Sequence, residues 1–286
     1  MSAGLRKTSL CVIGAGRMAR ALFSSGGGDR LDFEEIAFVD PRAETLDAMR
    51  SAIPAARTFS AIYDVPAGFR NGILFFAVKP QDLNNVFREL EDANAPWMPG
   101  MIITILAGVP VGVFEKKFPK IPVVRAMPNT PAKVCRGVTA LCGNAFSEGE
   151  PMATATGIFG RIGRVVRVGE ECFDAVTALS GSGPAYYYLL AAALAEAGIA
   201  EGLEENTAIR LAVETMAGAG ELARTNIETG ETLSEMITAV RSKGGTTEAA
   251  LEVFEKRDFQ GVVREAVAAA RERAAVLGKR ISEALE

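Results

Sequence analysis

The stretch Leu10-Cys11-Val12-Ile13-Gly14-Ala15-Gly16-Arg17-Met18-Ala19 decides the fold. Its four leading apolar residues predict a strand, and the small residues after them turn the chain into a segment with helical spacing. Gly14 permits the tight turn, Gly16 lets backbone approach a pyrophosphate, and Ala19 allows the helix to pack closely on the strand. The start of the helix adds free N–H groups and the positive end of a dipole. As a bare string such a turn is a weak signal. As the first strand-helix unit of an alternating chain it predicts a dinucleotide site.

Outward from that unit, short apolar runs alternate with helical patterns. Strands are expected at 9–13, 35–39, 72–77, 101–105 and 123–126, with later ones at 138–141 and 165–168. Helices are expected at 18–24, 43–51 and 81–90. The run Ile73-Leu74-Phe75-Phe76-Ala77 is apolar on both faces, as in a parallel sheet covered by helices on each side. After Gly169 the chain becomes rich in Ala, Leu and Glu, and helices are expected at 173–178, 184–197, 204–225, 233–240, 246–256 and 259–285. A domain boundary is therefore placed there, giving residues 1–169 and 170–286. The helix opening at Pro184 is apolar around its whole circumference, so it must be buried on all sides. A subunit interface through this domain does that, and an oligomer is expected.

Composition narrows the chemistry. A net charge of −4 with no long basic run argues against nucleic acid as a partner. No uncharged apolar run has membrane-spanning length, the best ending at Glu196, and the N-terminal apolar stretch is too short for a cleavable signal. A cytoplasmic protein with no membrane partner is expected. Cys11, Cys135, Cys142 and Cys172 form no CxxC pair and are expected to be buried, reduced thiols. There is no histidine at all, which removes the commonest metal ligand and the commonest acid–base group at neutral pH. Imidazole-based hydrolase triads are excluded, and no metal site is expected.

Further motifs follow the strands. Val39-Asp40-Pro41-Arg42 closes the second strand, where an acidic residue normally accepts hydrogen bonds from the adenosine ribose and favours NAD. Arg42 is suited to a 2′-phosphate and favours NADP, so spacing alone leaves both open. Ala77-Val78-Lys79-Pro80-Gln81, Leu106-Ala107-Gly108 and Met127-Pro128-Asn129-Thr130-Pro131 end the next strands, on the sheet edge where α/β proteins hold ligands. In the helical half, Ser180-Gly181-Ser182-Gly183-Pro184-Ala185-Tyr186 and Ser242-Lys243-Gly244-Gly245-Thr246-Thr247 are small-residue turns that open helices. Each reads as a helix cap or as a carboxylate site built from N–H groups and hydroxyls. Two of them beside a dinucleotide domain point to a small acid.

Together these motifs resemble the pyrroline-5-carboxylate reductases, in order and over nearly the whole chain. The resemblance implies an α/β fold, with a Rossmann-type parallel-sheet domain followed by an all-helical dimerisation domain. It implies a homodimer assembled further into a ring of dimers. It implies NADPH as the favoured cofactor, with NADH as the alternative, and a small imino acid as substrate. Ile13 and the turn from Gly14 through Ala15, Gly16 and Arg17 to Met18 would hold the pyrophosphate; Asp40 and Arg42 would lie at the adenosine ribose. Ala77, Val78, Lys79, Pro80 and Ala107 would line the nicotinamide half. Ser242 with the Gly245 and Thr246 backbone would hold the substrate carboxylate, and Thr247 would lie close to the ring nitrogen as the catalytic candidate. Three positions depart from the family pattern: Asp40 replaces a small or amide residue, Arg241 a small residue, and Ala239 an asparagine found in some relatives.

The missing histidine fits this chemistry. A cyclic imine is readily protonated, and the iminium accepts hydride without an obligate acid–base residue, so positioning carries most of the acceleration. The alternatives are a β-hydroxyacid dehydrogenase and a non-catalytic dinucleotide-binding regulator. The first usually employs a lysine on the first long helix of its second domain, and 186–197 contains none. The second would have lost the carboxylate loop, and residues 242–247 are intact. A reductase of the six-membered homologue differs by one methylene, which a pocket discriminates weakly.

Overall fold

Leu10 and Val12 pack into one buried cluster and Cys11 and Ile13 into another. The sheet repeats that alternation, because successive side chains of a strand leave on opposite faces. The computed structural model describes residues 8–24, 33–92 and 97–284. Among them one sheet contains β1 (Thr8–Ile13), β2 (Phe33–Val39), β3 (Arg57–Phe59), β4 (Ile73–Phe76), β5 (Met101–Thr104), β6 (Val123–Met127), β7 (Gly137–Gly143) and β8 (Gly163–Arg167). Their order is β3-β2-β1-β4-β5-β6-β7-β8. The first six pair in parallel, β7 runs antiparallel to β6, and β8 runs parallel to β7. The order 3-2-1-4-5-6 is that of the doubly wound dinucleotide fold, and it reverses direction between β1 and β4.

Helices cover both faces. Leu10, Val12, Phe38, Phe75, Ile103 and Val124 lie under α1 (Arg17–Ser24), α2 (Ala43–Ala52) and α5 (Glu150–Gly160). Leu74, Phe76, Ile102 and Val123 lie under α3 (Leu83–Asp92) and α4 (Val111–Lys117). Spacing explains the packing: α1 buries Ala19, Leu22 and Phe23 and leaves Arg17 and Arg20 in solvent. Phe23 meets Phe38 and Phe75 edge-on at 5.6 and 5.3 Å. Each such fully buried aromatic contributes about 2–3 kcal/mol of apolar transfer energy.

The remaining helices are α6 (Phe173–Val176), α7 (Gly183–Ala200), α8 (Glu205–Glu228), α9 (Leu233–Val240), α10 (Thr246–Lys256) and α11 (Phe259–Ala284). The chain divides by contacts into Met1–Gly181 with Ala270–Glu286, and Ser182–Ala269. Residue pattern places the change of character at 169/170. By packing, Phe173, Val176 and Ile281 join the sheet core, which is why the contact division falls later and why the chain's last segment returns to the first unit. In the second unit α7 and α8 pack through alanines: Ala191, Ala195, Ala208 and Ala212 are buried. Small residues let the two backbones approach, and the large apolar side chains are left facing outward. Tyr187 is 63% exposed and Leu189 73%.

All expected strands and helices are present, with ends that shift by a few residues; Leu285, the expected end of the last helix, lies outside the described residues. Three elements escaped the sequence pattern. β3 is three residues long, too short for any period. α4 follows Pro110 and opens with Val-Gly-Val, which reads as strand. α5 contains Pro151, Gly157 and Gly160, all poor helix formers in isolation. The expected helix at 173–178 is α6 followed by a π-helical turn, Thr177–Gly181. The thiols also need correction: all four are free, but only Cys11 and Cys142 are buried, while Cys135 is half-buried and Cys172 exposed. Burial pushes the Cys142 thiol up to about 12 and raises Cys11 further.

Candidate functional site

The carboxyl ends of the parallel strands lie on one edge of the sheet, and the first group of candidate residues collects there. Gly14 leaves β1 at φ +95°, a conformation that favours glycine. Its N–H donates to the Val39 carbonyl at 2.8 Å, and the Ala77 N–H donates to the Ile13 carbonyl at 2.8 Å. The turn therefore sits where the sheet order reverses. A Cβ on Gly14 would stand 2.7 Å from the backbone of Ala77 and Val78. The two loops that flank the crevice are thus pressed together through an atom that only glycine lacks. Gly16 has open space where its Cβ would be, and α1 begins at the next residue. An open glycine and unpaired first-turn N–H groups fit a pyrophosphate.

At the end of β2, Asp40 is 3% exposed and its carboxylate is fully engaged. One oxygen accepts the Ala15 N–H at 3.0 Å and the Arg42 Nη2 at 2.9 Å. The other accepts the Arg42 N–H at 3.1 Å and the Arg42 Nε at 2.9 Å. Burial alone would raise the Asp40 pKa; the hydrogen bonds from Arg42 and Ala15, and the Arg42 charge, more than offset it and hold the group below its ordinary value. Arg42 itself is more than half exposed. Pro41 and Ala43, on either side of it, line an open cleft of about 440 Å³.

Lys79 is exposed and extended, the conformation that Pro80 imposes on its predecessor, and Val78 and Pro80 are half-buried. Ala107 is exposed beside Gly108, whose φ is +76° and whose missing Cβ makes room for Gly278 of α11. Asn129 takes a role that the sequence did not reveal. It is 8% exposed; its Nδ2 donates to the Ser180 carbonyl and hydroxyl, both at 3.3 Å, and its Oδ1 accepts the Val138 N–H at 3.0 Å. It ties the loop after β6 to the π-helical turn, a distortion frequent at functional sites.

The second group belongs to the helical unit. Arg241 ends α9, and the chain turns through Gly244, at φ +72°, into α10. The Gly245 N–H donates to the Ser242 carbonyl at 3.0 Å, and Gly245 then serves as the N-cap. The first-turn N–H groups of α10 have no carbonyl of their own helix, so Thr246 and Thr247 offer donors to an anion, while the Gly245 N–H is spent on Ser242. Ser242 and Thr246 are exposed and Thr247 is half-buried. Glu248, unremarked in the sequence, accepts the Gly244 N–H at 2.7 Å. Arg241 pairs with Glu255 at 2.8 Å and lies 3.7 Å from Glu248. An acid three residues past a double glycine at a helix start was the available signal for this brace.

Residues 170–277 match the family described as pyrroline-5-carboxylate reductase dimerisation. A pyrroline-5-carboxylate reductase of Synechocystis is 38% identical over 273 residues, covering 95% of this chain and 98% of that one. The reductase structure from Coxiella burnetii superposes with a TM-score of 0.82 at 31% identity, covering 95% of this chain and 99% of the other. That of the pyrroline carboxylate reductase from Plasmodium falciparum with NADP bound gives 0.74 at 26%, covering 94% and 99%. No helix among the described residues is long and apolar enough to cross a membrane. A Rossmann-like sheet, a helical region matched to a dimerisation family and identity along nearly the full length of both chains agree: this chain belongs to the pyrroline-5-carboxylate reductase family.

Proposed function

We propose that this protein reduces 1-pyrroline-5-carboxylate to L-proline with NADPH, the last step of proline biosynthesis, as a cytoplasmic homodimer assembled into a ring of dimers. Residues 1–169 are assigned to the dinucleotide, and 170–286 to the substrate and to dimerisation. What carries the reading is that the Gly14 turn and the Ser242–Thr247 loop are both intact in a chain matched end to end by a reductase of this name.

When bound, the reduced nicotinamide supplies a hydride to the imine carbon. The chain's own residues do the rest by positioning. Ile13, Gly14, Ala15, Gly16, Arg17 and Met18 hold the pyrophosphate, with Asp40 and Arg42 at the ribose end. Ala77, Val78, Lys79, Pro80 and Ala107 shape the edge for the nicotinamide half. Ser242 and the backbone of Gly245 and Thr246 hold the substrate carboxylate, the Thr246 N–H being the donor left free of the loop's own Gly245–Ser242 bond. The Thr247 hydroxyl orients the ring nitrogen, and no histidine is needed because the imine arrives protonated or is readily protonated.

The test follows NADPH and NADH oxidation separately in the purified protein with 1-pyrroline-5-carboxylate as acceptor. Oxidation of NADPH in preference to NADH is expected. No oxidation of either, with turnover of a hydroxy acid, would replace this reading by the dehydrogenase one.

A further inference from the structure

The loop that opens α10 carries a conflict of charge. Glu248 stands in the first turn of that helix, and its Oε2 accepts the Gly244 N–H at 2.7 Å. An acid suits the positive end of a helix. It also puts a negative charge beside the Thr246 and Thr247 N–H groups, the donors left for an anion. The Ser242 hydroxyl shares the spot: a Cβ on Gly245 would lie 2.3 Å from the Ser242 Oγ. A carboxylate entering this turn therefore meets one that already belongs to it, and the two repel.

Arg241 stands where that repulsion can be offset. It caps the C-terminus of α9, an end that favours a cation. Its Nη1 donates to Glu255 at 2.8 Å, and its Nε lies 3.7 Å from Oε1 of Glu248. Glu248 and Glu255 are two turns apart on one face of α10, so a single guanidinium reaches both. The Glu255 bond anchors it along the helix. The separation from Glu248 is too long for a hydrogen bond, so there the guanidinium acts by charge. Arg241 and Glu248 are 31% and 28% exposed, against 62% for Glu255, which makes the pair beside the loop the less screened one. We propose that Arg241 is a positioning residue that neutralises Glu248, so that the loop can brace itself with an acid and still admit an acidic substrate. The inference rests on the carboxylate reading of Ser242–Thr247 given above. It does not require Arg241 to touch the substrate.

The test is steady-state kinetics of the full-length protein with 1-pyrroline-5-carboxylate and saturating nucleotide, NADPH or NADH, in Arg241→Gln, Glu248→Gln and the double variant. Each substitution removes a charge and keeps a polar side chain, and glutamine at 248 retains an acceptor for Gly244. Arg241→Gln should raise the imino acid KM about five- to tenfold with the nucleotide KM unmoved, and about 0.5 M salt should at least halve that rise. Lys243, exposed in the same turn, remains as a cation and limits the loss. Glu248→Gln should lower the imino acid KM about twofold. The double variant should return to within about twofold of the wild type, because the charge to be neutralised is gone. An unchanged KM in Arg241→Gln overturns the proposal. So does a double variant as impaired as Arg241→Gln, which would put the guanidinium on the substrate itself or in a purely structural role. If the wild type turns over no imine with either nucleotide, the carboxylate reading itself fails.

Discussion

Single atoms decide the candidate site. Replacing Gly14 by Ala adds a methyl 2.7 Å from the Ala77 and Val78 backbone at a φ of +95°. The left-handed conformation alone costs about 1 kcal/mol, and the clash adds to it. Gly14→Ala should therefore lower the melting temperature and reduce ADP-ribose affinity by at least about tenfold, measured by thermal scan and titration. Thr247→Ala should lower turnover by about one to two orders of magnitude with the fold unchanged, since it deletes one positioning hydroxyl; unchanged kinetics would remove Thr247 from the site. Asp40 gives a pH signature. Its folded pKa is depressed, so its contribution to stability is complete above the unfolded value of about 4 and is lost as pH falls through the folded value. The stability gap between wild type and Asp40→Asn, from urea unfolding, should be widest near neutrality and close as pH drops below about 4.

At the scale of elements, the ion pair behind β6 fixes how a helix and a strand meet. Arg125 is 6% exposed, pairs with Glu170 at 3.0 Å, and lies 4.4 Å from the centre of the Phe173 ring. The same Glu170 oxygen accepts the Val111 N–H at 2.7 Å, at the first residue of α4. Glu170→Ala leaves a buried guanidinium unpaired and uncaps α4. A loss of about 2–3 kcal/mol in denaturant unfolding is expected, discounted because Glu170 is partly exposed. None of this was readable from 111, 125 and 170, which are far apart in sequence. Elements with a full period were legible, such as α1, α3 and β4. The Pro- and Gly-bearing α5 and the three-residue β3 were not, because their stability comes from the core they pack on and not from local preference.

For the whole molecule, the helical unit tells most. Its alanines are spent on packing α7 against α8, which leaves Tyr187, Tyr188, Leu189 and Leu194 largely exposed in a single chain. An apolar surface of that kind is an association surface. Leu189→Glu should shift the protein from dimer or larger assembly toward monomer in sedimentation velocity, with loss of turnover if assembly completes the site. A variant that sediments like the wild type would take Leu189 out of the interface.

Residue order by itself determined the alternation of strand and helix, the glycine turn at 14–16 and the small-residue loop at 242–247, because periodicity and backbone permissiveness are local properties. It placed an acid and an arginine together at 40 and 42. Only the tertiary structure decided that the acid is sealed inward on Ala15 and the arginine faces out, since one of the four donors that fill the carboxylate, the Ala15 N–H, comes from another turn of the chain. Direction of a side chain is set by what folding brings beside it, and sequence spacing carries no such vector.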